Sequence, residues 1–286
     1  MKAMIVSVAC LLACGCGKSG DHAAVAGADT RKAESFLIVA TDRGFEAPIR
    51  MSAGLRHIVF ENRGSKIHEA MLVKLAAGQS ADDYVAAVKG GALFPKGALD
   101  YSGAGLTGPG ESVEVWLRVD AGNFILICWN ADHPTTIPVH SFAVVEDGVP
   151  DDVVPREDAV LSLLDFRFEL DRPLETGMRV IRIETPGPSM HEVDIFRLHD
   201  GSTIAELNRW RKLEDSAKPT DMPAPADEMG GVLDSHDIHR VEWLRRMFVP
   251  GRYAFSCEMP APGGQYQDDH VSHADLGMIH EFEISP

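Results

Sequence analysis

Apolar positions along this chain come in short bursts rather than long helical stripes. Residues 36–40, 57–61, 70–75, 113–119, 124–128 and 142–145 are rich in Val, Ile, Leu and Phe, and turn-forming groups such as Asn62-Arg63-Gly64 and Asp120-Ala121-Gly122 separate them. Short runs of this kind, bounded by Gly, Asn and Asp, predict β-strands. A second series follows at 166–170, 179–184, 193–198, 241–247, 253–257 and 280–284. Each series is expected to carry one helix. Ser80 with Asp83 three residues on, and Thr203 with Glu206, each have the form of a capping box at the head of the stretches 80–88 and 203–207. Roughly seven strands per half predict an all-β chain of two tandem Greek-key β-sandwiches, each with one inserted helix.

The two series are copies. Residues 42–83 align with 165–206 without a gap, at a constant offset of 123, and twelve positions are identical. They include Asp42/Asp165, Gly64/Gly187, His68/His191 and Glu69/Glu192. The echo resumes with Trp116-Leu117-Arg118 against Trp243-Leu244-Arg245, then Gly122 to Cys128 against Gly251 to Cys257, and finally His133 and His140-x-Phe142 against His273 and His280-x-Phe282. A duplication of this size predicts two domains, at 33–147 and 160–286, joined by an Asp- and Pro-rich linker at 148–159. The stretch 218–231 (KPTDMPAPADEMGG) has the composition of a long surface loop inside the second copy. Trp116 and Trp243, at equivalent strand positions, are expected in the core.

Charge and the N-terminus narrow the function. The formal net charge is −16, with no basic footprint, so nucleic acid is a poor partner. Residues 1–16 read as a signal peptide: Lys2 precedes the apolar run 3–13, too short to span a bilayer as a stable helix. Leu11-Leu12-Ala13-Cys14-Gly15-Cys16 resembles the lipobox of bacterial lipoproteins, which implies lipidation at Cys14, with Cys16 open as the alternative. Residues 17–32 are small and polar, as expected of a tether. The expected location is outside the cytoplasm, in the periplasm or outer cell envelope, lipid-anchored to a membrane.

With Cys10, Cys14 and Cys16 in the leader, Cys128 and Cys257 remain, one per copy at the same strand position. A bridge between them would require those equivalent sites to touch across two domains. Exported, unpaired and duplicated thiols point to metal ligands. In the second copy the surrounding residues are His191-Glu192, Tyr253-x3-Cys257 and His273-x4-Met278, leading into Ile279-His280-Glu281-Phe282. Across nearly all of both copies, this order of motifs resembles the cupredoxins, the blue-copper sandwich proteins. The resemblance implies copper as the cofactor, held by His191, Cys257, His273 and Met278, since a His2Cys set with a weak axial Met suits both oxidation states. Fifteen residues separate Cys257 from His273, and His270 within them is a rival ligand. His280 reads as a strand residue.

The first copy offers His68, Cys128 and His133, with His140 as an alternative, but Pro138 stands where the second copy has Met278. Cys128 is alternatively a small buried apolar residue. His236-Asp237-Ile238-His239, with Met222 and Met229 upstream, reads as a solvated loop with metal capture as the rival. The expected function is an exported copper protein that carries single electrons or holds copper, partnered by a redox or copper-handling protein. The alternative is a metal-free sandwich used for binding or structure. The chain contains no His-x-His pair and no His beside Cys128 or Cys257, the features that add a second copper centre in the resembling oxidases and nitrite reductases, so the expectation is a non-enzyme.

Overall fold

Seventeen strands and two helices alternate in the order anticipated by the duplication, in a computed structural model that describes residues 35–92, 94–129, 137–213, 224–261 and 271–286. In the first copy these are β1 (Phe36–Thr41), β2 (Gly44–Glu46), β3 (Arg50–Ser52), β4 (Gly54–Asn62), β5 (His68–Lys74), α1 (Ala81–Lys89), β6 (Leu99–Thr107), β7 (Ser112–Val119), β8 (Gly122–Ile127) and β9 (Val139–Val145). The second copy repeats them, without a counterpart of β3, as β10 (Ala159–Leu164), β11 (Arg167–Leu170), β12 (Gly177–Glu184), β13 (Val193–Leu198), α2 (Ile204–Arg211), β14 (Ala226–Val232), β15 (Val241–Phe248), β16 (Gly251–Ser256) and β17 (Ile279–Ile284). Both helices begin with the capping box expected of them, Ser80 with Asp83 and Thr203 with Glu206.

The strands form two sheets, ordered β11-β10-β12-β15-β7-β4-β1-β2 and β17-β16-β13-β14-β6-β5-β8-β9-β3. The chain is therefore all-β, built of two copies of a β-sandwich as the strand pattern predicts. Apart from the extra β3, each order is a palindrome of equivalent strands, so the copies meet about a pseudo-two-fold axis. β7 and β15 pair antiparallel with Trp116 opposite Trp243, and β6 pairs with β14 through Ala104 and Val232. Trp116 is buried, whereas Trp243 lies half-exposed on the shared sheet, a departure from the core position expected of it. Ile38, Phe60, Val115, Leu72 and Phe124 from one copy and Ile183, Leu244, Val193 and Phe255 from the other join one apolar core between the layers.

The stretch read as a surface loop is partly a strand. Residues 226–232 form β14, buried from Met229 to Val232 and paired to β13 on one side and β6 on the other. Pro and Gly content misled because the pairing partners, not local propensity, hold this strand. Gly231 is needed there: a Cβ would lie 1.9 Å from the Val193 carbonyl oxygen. Residues 214–223, including Met222, lie outside the described residues.

The segment after β9 contains no strand but is pinned. Arg56 donates to the carbonyls of Pro150 (2.7 Å) and Val149 (3.0 Å), while Asp151 and Asp152 accept from the amides of Leu55 and His57. The seam between the copies also buries carboxyls, among them Glu69, Glu192, Asp194 and Asp234. Asp194 accepts from the Leu106 amide of the other copy at 3.1 Å. Burial, reinforced by Asp194, pushes the Glu69 carboxyl up to about 8. Burial likewise raises Asp194 and Asp234.

Candidate metal centre

β13 begins two residues after His191, and its pairing with β16 sets that histidine beside the end of the strand that delivers Cys257. Beyond the cysteine, the Ala261 amide donates to the Val271 carbonyl (2.7 Å). The His273 amide then donates to the Met259 carbonyl (2.8 Å), and the Ala274 amide to the Cys257 carbonyl (2.9 Å). Met278 closes the turn, with its amide on the His273 carbonyl (2.9 Å) and its carbonyl accepting from the Cys257 amide (3.2 Å). The ligand-bearing residues thus hold one another through the main chain.

The side chains converge. The Nδ1 atoms of His191 and His273 are 3.1 Å apart, and the Cys257 Sγ lies 3.5 Å from His273 Nδ1. One ligand atom from each of the three lies within 4.8 Å of the others, all three residues are buried, and among the described residues this is the one His/Cys/carboxylate group so arranged. Met278 is fully buried in the same core cluster as Cys257 and Met259.

His191 Nε2 faces Asp165 Oδ1 at 3.1 Å. With its Nε2–H donated to that carboxylate, the ring keeps a lone pair on Nδ1, directed at Cys257 and His273, the tautomer a metal needs. The turn glycine makes room for this pair. A Cβ on Gly187 would lie 3.2 Å from Asp165 Oδ1 and 3.8 Å from His191 Nε2, and the matching Gly64 is tighter still, at 2.6 Å from Asp42 Oδ1 and 2.7 Å from His68 Nε2. Glu192 supports the cysteine from the other side, accepting the Glu258 amide at 3.0 Å, and Glu69 accepts the Trp129 amide at 2.7 Å in the first copy. Glu192 entered the sequence reading only as part of the His-Glu motif, with no role, and Asp165 only as one of the identical positions of the duplicated block.

The electrostatics suit a metal. Burial lowers the pKa of His191 against the pull of Asp165, and burial with the neighbouring His191 brings His273 down to about 4. Both rings are neutral at physiological pH. Burial and then Glu192 push the Cys257 thiol well above its ordinary value, so a metal entering here must displace a proton from sulfur.

The first copy sets His68 and Cys128 at the equivalent positions, both buried, with His68 Nε2 3.4 Å from Asp42 Oδ1. The two buried cysteines are not bridged to one another. His133 lies outside the described residues, as do the rival ligand His270 and the leader with Cys14. His140 sits on β9 opposite Leu126, its Nε2 3.3 Å from the Pro48 carbonyl. His280 pairs with Phe255 across β16 and β17, a strand residue as expected. His236 and His239 line a cavity of about 320 Å³ between the copies with Tyr101, Arg118 and Asp120. No helix among the described residues is long and apolar enough to cross a membrane.

No protein-family model and no curated protein matches the chain. Among solved structures, auracyanin A, a blue copper protein from Chloroflexus aurantiacus, matches at 21% identity, covering 39% of this chain and 100% of its own, with a TM-score of 0.27. A multicopper oxidase matches at 14% identity over 88% of each chain, with a TM-score of 0.26. A copper nitrite reductase from Nitrosomonas europaea matches at 12% identity over 87% of this chain and 93% of its own, with a TM-score of 0.24. The expectation of a non-enzyme does not stand: the matches over most of the chain include a multicopper oxidase and a copper nitrite reductase, and the missing His-x-His motif does not set an enzyme aside. The sandwich fold, the duplicated His-Glu frame and the buried His-Cys-His group agree with the cupredoxin resemblance of the sequence.

Proposed function

We propose that this chain is an exported copper protein whose second copy holds one copper ion and uses it for single-electron transfer or copper holding. The observation that carries this reading is the buried convergence of His191 Nδ1, His273 Nδ1 and Cys257 Sγ. Two neutral imidazoles, a thiol that loses its proton to a metal, and a nearby thioether are the donor set that copper prefers across both oxidation states. Met278 would be the fourth residue to hold the ion in this reading. Bound copper would supply one-electron redox chemistry. The chain's own part is to keep the three donors in place before and after an electron moves: Asp165 fixes the His191 tautomer, Glu192 holds the cysteine loop, and the sandwich excludes water.

The leader and tether sequence supports export with lipidation at Cys14 and a position in the periplasm or outer envelope. A redox or copper-handling protein is the partner class this reading requires. A second reading applies to the first copy alone. There Pro138 replaces the axial methionine, which supports a scaffold role for that half.

The test is direct. Leaderless protein mixed with one equivalent of Cu(II) is expected to develop an intense visible thiolate-to-copper band and to gain thermal stability by mass action. A protein that stays colourless, with melting unmoved by copper or chelator, would leave only the duplicated scaffold.

A further inference from the structure

The C-terminal end of α2 grips the ligand loop of the second copy from two sides. Arg211, the last residue of the helix, ion-pairs with Glu258 and donates from Nη1 to Ser256 Oγ at 2.8 Å, so it touches both neighbours of Cys257. Its guanidinium also lies 5.3 Å from the Phe196 ring, and its side chain is 12% exposed. Ser256 Oγ in turn donates to Glu258 Oε1 at 2.8 Å. The next residue, Lys212, pairs with Asp275, whose carboxylate caps the turn between His273 and Met278 by accepting the Ser272 amide at 3.0 Å. One helix end therefore holds the cysteine segment and the His-Met turn together.

The first copy lacks this grip. Val88 stands at the place of Arg211 at the 123-residue offset, and Ile127 and Trp129 at the places of Ser256 and Glu258 at the later offset of 129. Val88, Tyr84, Ile127 and Trp129 form an apolar cluster instead. The same helix-to-loop seam is greasy in one half and ionic in the other, and a buried ion pair is poor value as mere glue when apolar packing already works at the equivalent place.

We propose that Arg211, seconded by Lys212, is a positioning residue for the metal centre: it clamps the ligand loop through Glu258 and Ser256 and sets a permanent cation beside the Cys257 thiolate and the Glu192 carboxyl. This rests on the second copy being the metal-binding half. Burial draws the Arg211 pKa down to about 10, while Asp194 and Glu192 oppose that fall, and the group stays charged at neutral pH.

The test compares the leaderless wild type with Arg211→Met, Arg211→Lys and Lys212→Ala. Arg211→Met is expected to weaken Cu(II) binding by about 10- to 100-fold in a chelator competition, in the range seen for residues that support metal ligands. It should also lower the reduction potential, because a cation beside the site favours the reduced ion. Arg211→Lys should recover part of both. Lys212 is 59% exposed, so Lys212→Ala should fold normally and show a smaller loss. Alkylation of Cys257 in the metal-free proteins, followed by peptide mass spectrometry, tests the clamp without copper: the rate should rise in Arg211→Met and in Lys212→Ala. A wild type that binds no copper sinks the functional reading and leaves the alkylation rates to decide the clamp. Unchanged alkylation in both Arg211→Met and Lys212→Ala, or unchanged affinity and potential in a copper-binding Arg211→Met, overturns the proposal.

Discussion

The two copies lay down the same frame and finish it differently. Asp42-Gly64-His68-Glu69 and Asp165-Gly187-His191-Glu192 occupy matching positions, and in each copy the glutamate accepts the amide that follows the cysteine. Around that frame they diverge. The second copy brings Cys257, two imidazoles and Met278 into one buried cluster behind an ionic helix seam. The first backs Cys128 with an apolar cluster and has Pro138 where a thioether would stand. Duplication preserved the parts that orient a ligand, and divergence acted on the parts that complete a site and tune it.

The largest expected effect separates the halves outright. Cys257→Ser should abolish the visible copper band, whereas Cys128→Ser should leave it intact. If the band follows Cys128 instead, the comparison is inverted. A smaller difference should appear one shell out. Asp165→Asn is expected to weaken Cu(II) affinity by about 10-fold or more, since the tautomer of His191 loses its anionic partner, and Asp42→Asn should not change it. Equal losses from both variants in a competition titration would mean that both halves hold metal.

The seam shared by the copies predicts a pH dependence. Glu69, at about 8 in the fold against an ordinary 4.5, binds its proton more tightly folded than unfolded. Stability is therefore full below about pH 4.5 as far as this group is concerned, and falls as pH climbs toward 8, with Asp194 and Asp234 acting in the same direction. Melting of the metal-free protein should be higher at pH 6 than at pH 8, and Glu69→Gln should flatten that slope. A melting temperature that rises over this interval contradicts the assignment of protonated carboxyls to the seam. The smallest effect belongs to the helix caps. Ser80→Ala and Thr203→Ala should each cost about 1 kcal/mol in urea unfolding. A greater loss of copper affinity with Thr203→Ala would tie α2 to the metal loop.

Much of this architecture was legible from local pattern. Strands such as 193–198 and both capping boxes follow from alternation and turn residues, repetition pairs His68 with His191 and Cys128 with Cys257, and the ligand set is what the cupredoxin resemblance implies. What escaped was set by partners distant in sequence. β14 was hidden in a Pro- and Gly-rich stretch because pairing to β13 and β6 holds it there. Asp165 gave no local hint of its role, since it faces a histidine 26 residues away only once the β10–β11 turn and the start of β13 meet.

The order of residues alone settles the duplication, the β pattern and the inventory of His, Cys and Met, because each is written in neighbouring side chains or in a constant offset. Tertiary structure decides that the two copies merge their sheets edge to edge, that a group of carboxyls is buried where they meet, and that donors 66 and 16 residues from one another in the chain share one pocket. Those outcomes depend on which strand edges pair and on what is thereby excluded from water, and neither is a property of any one segment.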